Sequence, residues 1–336
     1  MNVLALKPNE NNPPEISVVL KSEKPHSLWR DAMKRLLKNK AAVGGMIFFI
    51  LMTFSAVFGP MMLPYSFEDT DYDRVSNPPF VTSFEKFESE KMATIQYRED
   101  FVQFLGVYWN TKHFLGTDEL GRDLLVRILY GARISLAVGF LAALVSLFVG
   151  IFLGSLAGYL GGFVDAQITR LIDILYSIPY MFFVILLMAM AGRNFYLLFI
   201  AIGAVSWLTT ARIVRGQVIS LKNSEFVEAA RASGTSTFGI ICYHLIPNTL
   251  GPIIVYFSLL VPRVMLEESF LSYLGLGVQA PMASWGSLVA DAQSTITLYP
   301  WMVIFPGMAL TLTLFSLNFI GDGLRDALDP KLKGKQ

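Results

Sequence analysis

Long uncharged apolar runs, separated by short charged connections, occupy most of this chain. An α-helix rises 1.5 Å per residue, so about 20 apolar residues cross the roughly 30 Å hydrocarbon layer of a bilayer. Six runs meet that length: residues 43–63, 134–164, 174–192, 194–211, 245–262 and 292–321. The second and sixth are longer than a perpendicular crossing needs, which predicts tilt or ends that leave the bilayer. A further uncharged stretch, 269–290, is interrupted by Gly275, Gly277, Pro281 and Gly286. A span there would also place Lys331, Lys333 and Lys335 outside, against the positive-inside tendency. It therefore reads as an outer loop or re-entrant segment, and the pattern predicts an all-α integral membrane protein with about six transmembrane helices.

Flanking charge orients these spans. Arg30, Lys34, Arg35, Lys38 and Lys40 precede the first run and put the N-terminus in the cytoplasm. Trp29, Met33, Leu36 and Leu37 share one side of that basic stretch, as an interfacial helix would arrange them. The layout is then a cytoplasmic N-terminal segment (1–42), a first transmembrane helix (43–63) and an extracytoplasmic loop (64–132). A transmembrane core (133–322) and a cytoplasmic tail (323–336) follow. The outer loop is acidic and aromatic, with a short apolar patch at 101–109, and its 68–100 stretch reads as a solvated face.

Within the core, residues 224–247 form a polar, hinged segment between two membrane-length runs. Ser224 is a candidate N-cap, with Glu225 and Glu228 in the first turn, where the helix dipole favours carboxylates. Phe226, Val227 and Ala230 fall on one apolar face, and Gly234 is free to turn through positive φ. Residues 235–237 offer caps for a second short helix, which Pro247 is expected to stop. A unit tethered at both ends to spans, with small residues at Ala229, Ala230 and Ala232, suits docking in a groove of another protein.

Composition removes several classes. At 336 residues, 54% hydrophobic and 16% charged, the chain has far less charge than a soluble domain of that length. A formal net charge of +1 gives no field for nucleic acid. The lone Cys242 excludes an internal disulfide, and His26, His113 and His244 are too scattered for a ligand pattern. No nucleophile–base motif, zinc-protease motif or phosphate loop occurs, so a non-catalytic chain with no cofactor or metal of its own is expected.

Several motifs together resemble a known family. The hinge matches the pattern EAA, three residues, Gly, nine residues, I-x-L-P at Glu228, Ala229, Ala230, Gly234 and Pro247, with His244 and Ile246 departing from the consensus. GTDELGRD stands at 116–123, VSWLTTARIVRGQ at 205–217, SFLSYLGLG from Ser269, and NFIGDGLRDALDP at 318–330. Over about residues 27–330 the chain resembles the C-type permease subunit of oligopeptide and dipeptide ABC importers, although 75–112 is longer than expected of close relatives. The resemblance implies a type I importer permease fold in a bacterial inner membrane. It also implies a homologous B-type permease partner, two ATPase subunits that use ATP and Mg, and an extracytoplasmic binding protein delivering peptide. The hinge would then be the coupling loop. Glu228 would interact at the ATPase groove, Ala229 and Ala230 would allow close approach, and Gly234 would set the bend.

Arg263 and Glu267 lie i, i+4 on the fifth run and face one side. They either line the outer half of the pathway and meet peptide termini, or form a structural ion pair near the outer surface; the second is favoured. GTDELGRD likewise has two readings, a cap from Asp118 or Asp123 for the helix into the second span, or a contact for the binding protein; the cap is favoured. The alternative to the permease reading is an ion-driven secondary transporter. That class usually needs buried acidic or histidine relays on several spans, whereas here the clearest embedded charges share one.

Overall fold

A computed structural model describes residues 28–91, 94–192 and 194–328. The N-terminal residues through Ser27, with His26, and the tail lysines Lys331, Lys333 and Lys335 lie outside the described residues. The chain opens with α1 (Leu28–Lys38) and α2 (Lys40–Met62). Asn39 separates them, and its side chain caps α2 by accepting from the Ala41 and Ala42 amides. Only part of the apolar side expected on α1 is free for an interface. Ala32 and Leu36 are buried with Ala42 and Ala327, whereas Met33 and Leu37 are exposed.

An outer domain follows α2, with β1 (Phe80–Val81), α3 (Phe84–Lys91), β2 (Phe101–Phe104) and β3 (Val107–Asn110). The strands pair antiparallel in the order β1-β3-β2, with Phe80 opposite Trp109 and Phe101 opposite Asn110. The apolar patch at 101–109 is thus a hairpin, and the all-α description holds for the membrane bundle while this insert adds a small sheet. Its inner face buries Val81 and Phe101 with Ile95. The expectation of a solvated 68–100 stretch is corrected: residues 76–79, Val81, Ile95 and Asp100 are all buried. Asp100 is 9% exposed and receives the Arg74 Nε at 2.6 Å, while Arg74 also reaches Asp71 at 2.6 Å. The bond to Asp100 outweighs burial and holds the Arg74 guanidinium above its ordinary pKa.

The bundle comprises α4 (Leu124–Leu160), α5 (Gly162–Tyr176), α6 (Tyr180–Ala191) and α7 (Phe195–Leu221), then the hinge helices α8 (Glu225–Ala232) and α9 (Thr237–Gly239). It closes with α10 (Ile246–Tyr273), the short α11 (Trp285–Asp291) and α12 (Trp301–Leu328). Five helices are long and apolar enough to cross a membrane, counting 237–273 as one, and the bent pair α5–α6 together has the length and composition of a sixth. The single run expected at 174–192 is therefore corrected. Ile174 to Tyr176 end α5, and the chain bends by 85° before Tyr180 begins α6. Pro179, which has no N–H to donate, sits at that break. The 12 residues of α6 span only about 18 Å, too little to cross alone.

The reading of 269–290 as a non-spanning segment agrees with the structure: α10 runs on to Tyr273, and the chain then returns to form α11. Ser284 and Ser287 cap that helix reciprocally, and the buried Trp285 donates its indole N–H to the Ile128 carbonyl at 3.0 Å. Asp123 is the N-cap of α4, its Oδ1 accepting from the Val126 amide at 2.9 Å, so the expected helix cap is present. The other oxygen of Asp123 meets Nδ1 of the buried His113 at 2.9 Å, tying the outer domain to the bundle.

Helices α4 and α7 pack along a face where α4 carries Gly150, Gly154 and Gly158 at every fourth position. A methyl at Gly154 would stand 2.5 Å from the Ala211 carbonyl oxygen, and one at Gly158 2.9 Å from that of Arg215. Backbone cannot yield as a side chain does, so only glycine permits this approach. Gly154→Leu is expected to force the helices apart and cost about 1–3 kcal/mol. A lowered melting temperature of the purified protein in detergent checks this, with Gly216→Leu as a control because space beside Gly216 is open.

Candidate coupling hinge and pathway site

The hinge is built on the last turns of α7. Ser224 stands at the N-cap of α8, but its hydroxyl turns back to the Leu221 carbonyl at 2.6 Å and makes no side-chain cap. The carbonyls ending α7 need partners of their own and win the hydroxyl. At the other end of α8 the amides of Gly234 and Thr235 return to the carbonyls of Arg231 and Ala230, and Gly234 has φ +79°. This is a Schellman closure, which calls for a residue comfortable in the left-handed region. Ser236 then caps the next turn through the Gly239 amide at 3.2 Å.

The two short helices present opposite sides. Val227 and Ala230 are buried with Val214 and Val218 of α7, with Ile240, Ile241 and Leu245 after the bend, and with Ile253 of α10. Glu228, Ala229 and Ala232 are exposed, as are Phe226, Phe238 and, at 77%, Tyr243. The expectation that Phe226 joins Val227 and Ala230 on one face is corrected: Phe226 points outward. Ala230 likewise seats the hinge on its own bundle, so among the small residues Ala229 and Ala232 are the ones open to a partner.

Pro247 does not stop the second helix. The chain passes from α9 through a widened turn at Ile240–Leu245, with i→i+5 bonding, directly into α10, and Pro247 lies in the first turn of α10. A missing N–H is tolerated there, and the nearby His244 carbonyl is filled by the Asn248 side-chain amide at 2.6 Å. Residues 237–273 therefore behave as one helix.

Arg263 and Glu267 do pair, with Nε to Oε1 at 3.0 Å. The Arg263 side chain is 56% exposed while Glu267 is largely buried. The second carboxylate oxygen of Glu267 accepts from the Tyr180 hydroxyl, which also meets Ser206 Oγ at 3.2 Å. Beside them a small cavity of about 110 Å³ lies between Tyr180, Tyr256, Thr209 and Arg263. Tyr180 and Ser206 were not singled out from the sequence. The available signal was a hydroxyl beside the proline break and hydroxyls recurring along α7 at Ser206, Thr209 and Thr210. Those recurring groups are bonded to Tyr180, to Tyr176 and, at 2.7 Å, to Ser146 of α4. Two ion pairs also join α5 to α7, Asp165 with Arg215 and Asp173 with Arg212. The site thus joins an exposed two-helix hinge on one face of the bundle to a charged, hydroxyl-lined cluster deep in it.

Residues 150–334 match the family described as the binding-protein-dependent transport system inner membrane component. Residues 27–79 match the N-terminal transmembrane domain of oligopeptide transport permease C. The chain belongs to this permease family. It is 49% identical over 305 residues to the oligopeptide transport system permease protein OppC of Escherichia coli, covering 91% of this chain and 92% of that protein. It is 40% identical to OppC of Bacillus subtilis, covering 93% and 92%. The glutathione transport system permease protein GsiD of Pectobacterium atrosepticum is 34% identical, covering 94% and 95%. The matches cover more than nine-tenths of each chain, and this permease is a multi-pass inner-membrane protein with an all-α bundle.

Gly234→Ala places a Cβ in the left-handed region at a cost of about 1–2 kcal/mol. The amides of Gly234 and Thr235 are then expected to exchange with solvent about 5–30-fold faster, while amides at the centre of α7 are unchanged. Hydrogen-exchange mass spectrometry of the reconstituted permease checks both regions.

Proposed function

We propose that this permease is one of two membrane halves of an ATP-driven importer of oligopeptides, with the α8–Gly234–α9 hinge as its coupling element. The observation that carries the reading is the division of the hinge. Its inner residues are packed into α7 and α10, and its outer residues, Glu228 and Ala229 among them, are open. Such a piece transmits force from whatever grips its outer side. The hinge faces the cytoplasm in this reading, on the side of the basic residues Arg30, Lys34 and Lys38, and the sheet-bearing insert lies outside.

In this arrangement a B-type permease partner completes the pathway, and an extracytoplasmic binding protein delivers the peptide. Two ATPase subunits bind ATP and Mg, close on each other and displace the hinges, so the spans alternate between inward and outward openings. This chain performs no hydrolysis. The exposure of Arg263 supports a pathway role for its side of α10, because a charge at that depth costs about 2.5–3.5 kcal/mol against lipid and is instead expected to meet water or cargo.

Cysteine introduced at Ala229, with Cys242 replaced by Ala, is expected to crosslink to a co-expressed ATPase subunit. Gly234→Pro should leave the protein inserted and the ATPase active while peptide uptake falls to background, because proline cannot adopt the φ of Gly234. Proteoliposomes with an imposed ion gradient, prepared with and without ATP, give the opposing test. Uptake driven by the gradient without ATP, or normal uptake by Gly234→Pro, would overturn the coupling role.

A further inference from the structure

Helix α1 is held against the bundle by one narrow side. Ala32 and Leu36 are buried on the first turn of α2 and the last turns of α12, among Ala42, Leu324 and Ala327. The fit is close there: a methyl at Gly323 of α12 would stand 2.4 Å from the Ala42 Cβ and 2.9 Å from the Leu36 Cδ1. That packing fixes what the rest of α1 presents. Successive residues are about 100° apart around a helix, so Met33 and Leu37 lie next to the buried pair, and Arg30, Lys34 and Lys38 lie next to them. Met33 and Leu37 are 55% and 58% exposed, and the three cations are exposed as well. Among the described residues none of these cations has an ion pair, and neither Asp31 of α1 nor Asp322 or Asp326 at the end of α12 joins them.

Both strips call for a cover, and their order around the helix selects it. Like charges at i, i+4 repel along a helix, so the row Arg30, Lys34 and Lys38 is relieved by a counter-charge from beyond α1. The exposed Met33 and Leu37 beside that row require the same cover to be apolar along one edge. An anionic phospholipid meets both needs in one molecule, with acyl chains for the apolar strip and a phosphate for the basic one. The position agrees. Asn39 alone separates α1 from the first span, and Lys38 and Lys40 flank the start of that apolar run, at the level of the headgroups. The apolar side of α2 carries on from there, with Ile47, Ile50, Leu51 and Phe54 all exposed. We infer that the uncovered side of α1 is a binding site for anionic phospholipid, with Met33 and Leu37 against its acyl chains and Arg30, Lys34 and Lys38 on its phosphate. Because α1 is seated on both α2 and α12, lipid held there clasps the first and last spans together. The site needs neither cargo nor ATPase.

The test uses the full-length permease carrying Cys242→Ala and Leu37→Cys, labelled with bimane at the new cysteine and placed in nanodiscs. Lipids brominated on the acyl chain quench bimane on contact. Brominated phosphatidylglycerol is expected to quench at a mole fraction about fivefold lower than brominated phosphatidylcholine, the ratio that about one cation–headgroup contact supplies. Raising the salt concentration should shrink that preference, because screening shortens the reach of the cations. Arg30→Gln with Lys34→Gln and Lys38→Gln should abolish it while quenching by phosphatidylcholine persists. Bimane at Ile50→Cys, on the exposed side of α2, should be quenched equally by both lipids. Equal quenching by both at residue 37, in the chain with all its cations, would overturn the assignment, and that arm depends on no charge variant. So would quenching by neither, which would place Leu37 in water or beneath another protein subunit.

Discussion

The close approach of α4 and α7 is the constraint on which the rest of the molecule depends. Glycines on α4 bring its backbone against the carbonyls of Ala211 and Arg215, and Gly203 on α7 answers by meeting Ala142 and Val145 of α4. At these positions the approach is set by backbone geometry and resists sliding. Much of the site is built against these two helices. The end of α7 nearest α8 seats the hinge through Val214 and Val218, and its middle supplies Ser206, Thr209 and Thr210.

The polar chemistry inside the bundle is arranged so that few groups lack a partner. The bent pair α5–α6 is held to α7 by Asp165–Arg215 and Asp173–Arg212, then by Tyr176 with Thr209 and Tyr180 with Ser206, and to α10 by Tyr180 with Glu267. A broken helix exposes backbone groups and, in a membrane, needs neighbours or water to satisfy them. This ladder keeps the break beside the hydroxyl-bearing side of α7. The hinge follows a different rule, because its exposed aromatic and acidic residues are left without intrachain cover.

Much of this was legible from residue order alone. The five long helices, the positive φ at Gly234, the Asp123 cap and the Arg263–Glu267 pair each follow from local periodicity or from i, i+3 and i, i+4 geometry. The failures share a cause. Pro247 looked like a terminator because its missing N–H matters in a helix interior, yet it falls in a first turn preceded by a widened one. The 174–192 run had the length of a span, but hydropathy cannot register a bend of 85° at Pro179. The sheet in the outer domain depends on contacts far apart in sequence, such as Phe80 with Trp109, and no local pattern announces them.

Because the helix is unbroken between Thr237 and Tyr273, the second half of the hinge and the stretch of α10 that carries Arg263 and Glu267 are parts of a single rod about 55 Å long. A rod has no slack. Tilting its hinge end swings Arg263, Glu267 and the turn beyond Tyr273 through proportionate arcs, with the fulcrum wherever α4 and α12 grip it. The widened turn at Ile240–Leu245 is then the place where rotation about the rod's own axis can be taken up without breaking it.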